Sequence, residues 1–212
     1  RPCCSIITLW PEAMASHGMG RFAYALLLLF ALLLGGCDSG APKQAFQLTD
    51  ISGAEFGRNF KLTDHNGQPR TLDDFKDKVV AVFFGYIFCP DVCPTTMGDL
   101  ALVMKELGAD AARVQVLFIT VDPERDTPEL LAKYVPGFHP SFLGLYGDAE
   151  ATKRTAKDFK MFYQKQPMSG GGYTMDHSAG TYIYDTSGRL RLFAAYGQGA
   201  QKLLHDIRVL LQ

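Results

Sequence analysis

At 212 residues and 47% hydrophobic, the chain is long enough to bury a sizeable core, and once roughly forty N-terminal residues are set aside the remainder fits one domain. Lys and Arg number 21 against 22 Asp and Glu, for a formal net charge of -1. There is no basic excess of the kind that nucleic acid demands, so no nucleic-acid partner is expected.

The N-terminus reads as a targeting signal. Residues 22–34 are almost wholly apolar and follow Arg21. A run of about thirteen residues is short for a transmembrane helix and suits a signal h-region. It leads into Leu34-Gly35-Gly36-Cys37, which resembles a bacterial lipobox, where the signal is cut and the cysteine is lipidated. The alternative is an uncleaved anchor with an incidental Cys37. Asp38 then resembles an inner-membrane retention signal of enteric-type lipoproteins. Either way the domain is expected outside the cytoplasm, on the periplasmic side of the inner membrane and tied to it. Met14 or Met19 would begin a more ordinary signal, so Cys3 and Cys4 carry no functional weight. The expected organisation is a leader over 1–37, a linker over 38–47 and a domain over 48–212.

Within that domain, Phe60 to Thr63 alternates as a short strand, and Asn66-Gly67 is a hairpin turn signal. Residues 79–84 are a continuous apolar run, the mark of a buried strand. Met97, Leu100, Ala101, Met104 and Leu107 recur at helical spacing, with Gly108 as a C-cap. Val114 to Val121 is a second buried strand. Thr127 to Tyr134 is a helix with Thr127 at its N-cap and Pro128 at its first position. A strand over 142–146 and a helix over 148–159 follow. Gln166 to Tyr173 reads as a glycine-rich loop. Strands at 181–184 and 190–195 flank a turn at Ser187-Gly188, and Ala200, Leu203, Leu204, Ile207, Leu210 and Leu211 make a final amphipathic helix. The alternation predicts an α/β domain, a central mixed sheet flanked by helices with an added hairpin. A dithiol after the first long buried strand makes that order similar to a thioredoxin-like fold.

Leader and anchor account for three of the 5 cysteines, leaving Cys89 and Cys93. A disulfide closing so small a loop removes little chain entropy, so the pair is read as chemical rather than structural. Its spacing is C-x-x-x-C where redox motifs read C-x-x-C. If Pro94 opens a helix, Cys93 lies at its N-terminus, where the dipole favours a thiolate. Positions four apart on a helical turn bring Cβ atoms within roughly 5–6 Å. The two sulfurs would then converge on one soft ion or close a disulfide.

Thioredoxin-like chains carry a cis-proline just before the late strand, facing the dithiol. Here His177-Ser178-Ala179-Gly180 stands there instead. His177 reads from its position as a third ligand aimed at the cysteines, which would favour metal over pure disulfide exchange, or else as a satisfied loop residue. The other histidines read blandly: His17 lies in the leader, His65 in a solvated turn, His139 in a structural loop, and His205 on the polar side of the last helix.

Tyr86 to Thr96, Val121 to Pro128, Phe142 to Leu145 and Asp176-His177-Ser178 together resemble the Sco/SenC family, over about Phe46 to the C-terminus. The resemblance implies a membrane-tethered thioredoxin-like domain that binds copper through Cys89, Cys93 and His177. It further implies help in assembling the copper A centre of cytochrome c oxidase subunit II, as copper donor, thiol reductant or both. In the reductant reading Cys89 and Cys93 are the catalytic pair.

Asp91 and Asp176 flank the ligands, as orienting groups for His177 or as plain loop carboxylates. Asp122 is a buried acid near the site or the cap of its turn. Met168 and Met175 read as incidental methionines, and Lys153, Arg154, Lys157 and Lys160 as a solvated helix face. A peroxidase reading lacks the assisting threonine before the cysteine. Haem attachment needs C-x-x-C-H, and a structural zinc site needs a fourth ligand.

Overall fold

Seven consecutive buried residues define each of the two central strands, β4 (Val79–Gly85) and β5 (Val114–Thr120), in a computed structural model that describes residues 45–212. The leader, the proposed lipidation site Cys37, Cys3, Cys4, His17 and the linker up to residue 44 lie outside the described residues. β4 and β5 pair in parallel, and β5 pairs in parallel with β6 (Leu143–Tyr146). Strands covered on both faces need near-continuous apolar sequence; β4 has it throughout, and β5 has it apart from Thr120 at its end and Gln115, whose side-chain amide donates to the Val116 and Ser141 carbonyls.

The rest of the main sheet is antiparallel. β9 (Gly180–Tyr184) lies on the other side of β4, followed by β10 (Leu190–Ala195) and the two-residue β1 (Thr49–Asp50). Beyond β6 come β2 (Leu62–Asp64) and β3 (Pro69–Arg70), joined through the Asn66-Gly67 turn. The order β1-β10-β9-β4-β5-β6-β2-β3 is the mixed sheet the sequence predicts.

Four helices accompany it: α1 (Val92–Leu107), α2 (Pro128–Tyr134), α3 (Ala149–Asp158) and α4 (Gly199–Leu210). α1 packs with α4, and α2 lies against β6. Thr127 caps α2 as predicted, its side chain accepting from the Leu130 amide, with Pro128 in the first turn. Gly108 follows α1 with φ +57°, a conformation that favours glycine at a helix end. Asp148 caps α3 in the same way. No described helix is long and apolar enough to cross a membrane.

The region read as a glycine-rich loop from Gln166 to Tyr173 is shorter than expected. β7 (Tyr163–Pro167) and β8 (Tyr173–His177) form a separate antiparallel pair, leaving only 168–172 as the turn. Strand β7 is mostly exposed, so its residues lack the apolar face by which sequence reveals a strand. His177 therefore ends a strand, not a loop.

Candidate metal centre

β4 delivers the chain to the site. Past Gly85 it turns through Tyr86 to Pro90, and α1 begins at Val92 with Cys93 in its first turn. The Cys89 amide donates to the Tyr86 carbonyl at 3.3 Å, folding the loop back so that Cys89 Sγ sits 3.4 Å from the Cys93 amide. Cys93 is fully buried while Cys89 is half-buried, and both are free thiols. From β8, His177 places Nε2 3.6 Å from Cys93 Sγ. One donor atom each from Cys89, Cys93 and His177 lies within 4.8 Å of the others. All three residues picked from sequence are thus brought together.

The tautomer of His177 follows from its partner. Its Nδ1 stands 3.0 Å from the Ser178 carbonyl, which can only accept, so Nδ1 carries the proton. Nε2 is left with its lone pair toward the sulfur. Burial also pushes the imidazole pKa down, against the weaker upward pull of that hydrogen bond and of Asp176. The ring is held edge-on by Tyr86 at 5.9 Å and Phe83 at 6.3 Å between centroids. The carbonyl of Ser178 orients this histidine. Asp91 and Asp176 are exposed, and neither bonds the ring.

The expectation of a thiolate favoured by the helix N-terminus needs correction for the metal-free protein. Burial pushes the Cys93 thiol up, and the lowering hydrogen bond from the Tyr86 backbone does not offset it. Desolvation of a buried anion outweighs half a helix charge in the first turn. Cys93 is therefore a thiol until a cation enters and displaces its proton. Two sulfurs and an imidazole nitrogen make a donor set suited to copper, above all Cu(I).

Behind the sulfurs lie polar groups that the sequence does not single out. Asp126 is buried; its Oδ2 accepts from Thr120 Oγ1 at 2.6 Å and from the Ile87 amide at 3.1 Å. Burial raises its pKa to about 6 despite those bonds. Among the described residues, Asp126 Oδ1 and the Tyr134 hydroxyl are buried without a partner. Asp122 is both things expected of it. It is buried, it accepts from Arg125 and from the Tyr173 hydroxyl, and its carbonyl receives the Arg125 and Asp126 amides of the turn. The spacing of Asp122 and Arg125, three apart in a turn, was the available signal for that pair.

Elsewhere two histidines depart from expectation. His65 is not merely solvated, since its Nδ1 accepts from the Gly144 amide at 3.0 Å. His205 bonds buried Asp206 at 2.7 Å. His139 pairs with Ser141 as a structural loop residue. Met168 is exposed and Met175 belongs to the core. Lys153, Arg154, Lys157 and Lys160 are exposed.

Comparison with known proteins agrees with this geometry. The family model described as SCO1/SenC matches residues 49–212. The structure of ScoI from Bradyrhizobium japonicum, with copper bound, is 37% identical, with 72% of this chain and 98% of that one covered and a TM-score of 0.67. The solution structure of apo Sco1 from Thermus thermophilus is 41% identical, covering 81% of this chain and 100% of that one, with a TM-score of 0.71. The mouse mitochondrial SCO2 homolog is 37% identical over 153 residues, 71% of this chain and 60% of that protein. The chain thus spans less than two thirds of that relative's length, and the residues matched by the family model contain the whole cysteine and histidine constellation. These matches, on a thioredoxin-like fold carrying that constellation, show that the chain belongs to the SCO1/SenC family.

Proposed function

We propose that this chain is a membrane-tethered copper-binding metallochaperone that assists assembly of the copper A centre of cytochrome c oxidase, with subunit II as its partner. The observation that carries the reading is the convergence of Cys89, Cys93 and His177 within 4.8 Å. These three are the copper ligands. Two thiolates and one imidazole hold Cu(I) and leave one direction open, from which an acceptor thiolate replaces the ligands in turn. Copper passes by ligand exchange, with no change in oxidation state and without free ion. Half-buried Cys89 is the sulfur an acceptor reaches first. Lipidated Cys37 is the tether, holding the domain on the periplasmic side of the inner membrane.

The alternative is a thiol-disulfide oxidoreductase that reduces the cysteines of oxidase subunit II, with Cys89 attacking and Cys93 resolving. The Cys93 amide donates to Cys89 Sγ at 3.4 Å, which holds the two residues together as such a pair requires. This reading has no use for His177.

The discriminating experiment titrates the reduced full chain with Cu(I) against a competing chelator, beside His177→Ala. One tightly held copper in the parent, weakened at least about tenfold in the variant, is the expected result. Copper binding unchanged by the substitution removes His177 from the site. No competitive binding in either protein leaves the thiol reductant.

A further inference from the structure

We propose that Arg125, Tyr173 and Asp122 form a clasp that positions His177, and so govern the third copper ligand without touching the metal; this rests on the copper-binding reading above. The need for a clasp follows from topology. Strand β8, which carries His177, bonds only to β7, and this pair is separate from the eight-stranded sheet. At its His177 end the strand is tied by the Ser178 amide, which donates to the Phe162 carbonyl, and by β9, which enters the main sheet at Gly180; its Tyr173 end has no ladder of the main sheet and depends on side-chain contacts.

Those contacts converge at the far end of β8. Arg125 Nη1 donates to the Tyr173 carbonyl at 2.8 Å, and the guanidinium stacks over the Tyr173 ring at 3.7 Å from its centroid. Arg125 Nε donates to Asp122 Oδ2, and the Tyr173 hydroxyl donates to Asp122 Oδ1 at 2.8 Å. The two oxygens of one buried carboxylate thus hold the two members of a stacked pair. Asp122 is itself fixed at the end of β5, its amide donating to Thr120 Oγ1 at 3.0 Å. One residue along β8, Thr174 bonds the Tyr86 hydroxyl at 2.7 Å, and the Tyr86 ring lies edge-on to His177. Lys165 and Glu124 add an exposed ion pair, which contributes little.

Tyr173, Met175 and His177 alternate onto one face of the strand, and the four-residue span from clasp to ligand is about 13 Å. Over so short a strand, the clasp at Tyr173 and the tie at Ser178 together set the position of His177. The same turn mounts the dithiol as well. Asp126, at its close, accepts the Ile87 amide that leads into Cys89. The turn from Asp122 to Asp126 therefore holds the sulfur loop through one carboxylate and the histidine hairpin through another.

Tyr173→Phe tests this while keeping the ring under Arg125, and Arg125→Lys, which keeps the charge and loses the fork, is the second variant. Cu(I) competition is run on the full chain in the parent and His177→Ala backgrounds. Tyr173→Phe is expected to weaken copper about tenfold in the parent, the loss of one hydrogen bond to a carboxylate. In the His177→Ala background it is expected to change nothing, because the ligand it positions is gone. An equal loss in both backgrounds, or parent-like binding by both clasp variants, overturns the proposal. Amide hydrogen exchange on the metal-free proteins separates this from failure of the functional reading. Even if the parent holds no copper, exchange faster by about tenfold in the β7–β8 amides and unchanged in α1 sustains the clasp. Unchanged exchange in β8 overturns it.

Discussion

Gly85 is where a single methyl group would test the whole geometry of the site. A Cβ built there lies 2.9 Å from Cys93 Sγ, 2.9 Å from Phe118 Cε2 and 3.0 Å from Phe83 Cε1. Favourable contact begins near 3.5 Å, so each neighbour would have to retreat by roughly 0.5–0.6 Å. Phe83 and Phe118 are fully buried in the core and have nowhere to go. The sulfur and the first turn of α1 must move instead. Overpacking of this kind costs about 2 kcal/mol, which lowers the Tm of a domain this size by roughly 4–8 °C. The displacement also exceeds the ~0.2 Å within which metal–ligand distances hold. Gly85→Ala is therefore expected to weaken Cu(I) by at least about tenfold as well as to lose stability. Thermal unfolding and Cu(I) competition measure the two effects. Gly144→Ala is the control, since its Cβ would lie 3.1 Å from Val135 and 3.2 Å from Leu131, away from the sulfurs. It should lose stability and keep copper. Parent-like copper binding by Gly85→Ala would refute the claim that close packing against β4 sets the position of Cys93.

Two further outcomes concern the domain itself. Buried Asp206 accepts the amides of Gln47 and Leu48 and bonds His205, pinning the entry of the chain onto α4. Asp206→Ala strands two donors and should cost about 2–3 kcal/mol in urea unfolding; a loss below ~0.5 kcal/mol would contradict that role. Asp126 gives the metal-free protein a definite pH dependence. Its folded pKa of about 6 lies above the ordinary carboxylate value, so the folded state binds the extra proton between about pH 4 and 6. Stability is full below that window and falls as pH rises through it, by up to about 3 kcal/mol. Asp126→Asn should remove that decline, and an unaltered pH profile would show that Asp126 is ionised throughout.

What could be read from the sequence divides along physical lines. β4, β5 and α2 declare themselves because burial on both faces demands nearly unbroken apolar runs, and because Thr127-Pro128 carries its own start signal. Cys89, Cys93 and His177 are legible because their chemistry is rare and their places in a strand-to-helix order are fixed. β1 is too short to carry a pattern. β7 has no apolar face, and β8, though Tyr173 and Met175 alternate in it, is only five residues long and follows a glycine-rich turn. Asp126 and Arg125 act on groups 39 and 48 residues away, at Ile87 and Tyr173. Such contacts come from the way a turn folds back on the sheet, which local periodicity does not encode. The error over Cys93 has the same root. Its helix position is a local property, but its burial depends on close packing of the sulfur against Gly85 of β4.

The site therefore joins three supports of different stiffness. Cys93 is packed against the centre of the sheet, and its thiol resists ionisation until a cation arrives. Cys89 lies one helical turn away on a loop tied to Tyr86 and Asp126 and remains open to solvent. His177 comes from a two-stranded hairpin outside the sheet, oriented by the Ser178 carbonyl and held by side chains. For the copper carrier proposed above, which must keep a soft ion and then yield it, that inequality is an advantage. Ligands on equally rigid supports would bind copper well and release it slowly, because every exchange would have to strain the core. With one buried sulfur as a fixed point, exchange can begin at half-buried Cys89, whose loop is anchored by a few hydrogen bonds and not by the packing of the sheet.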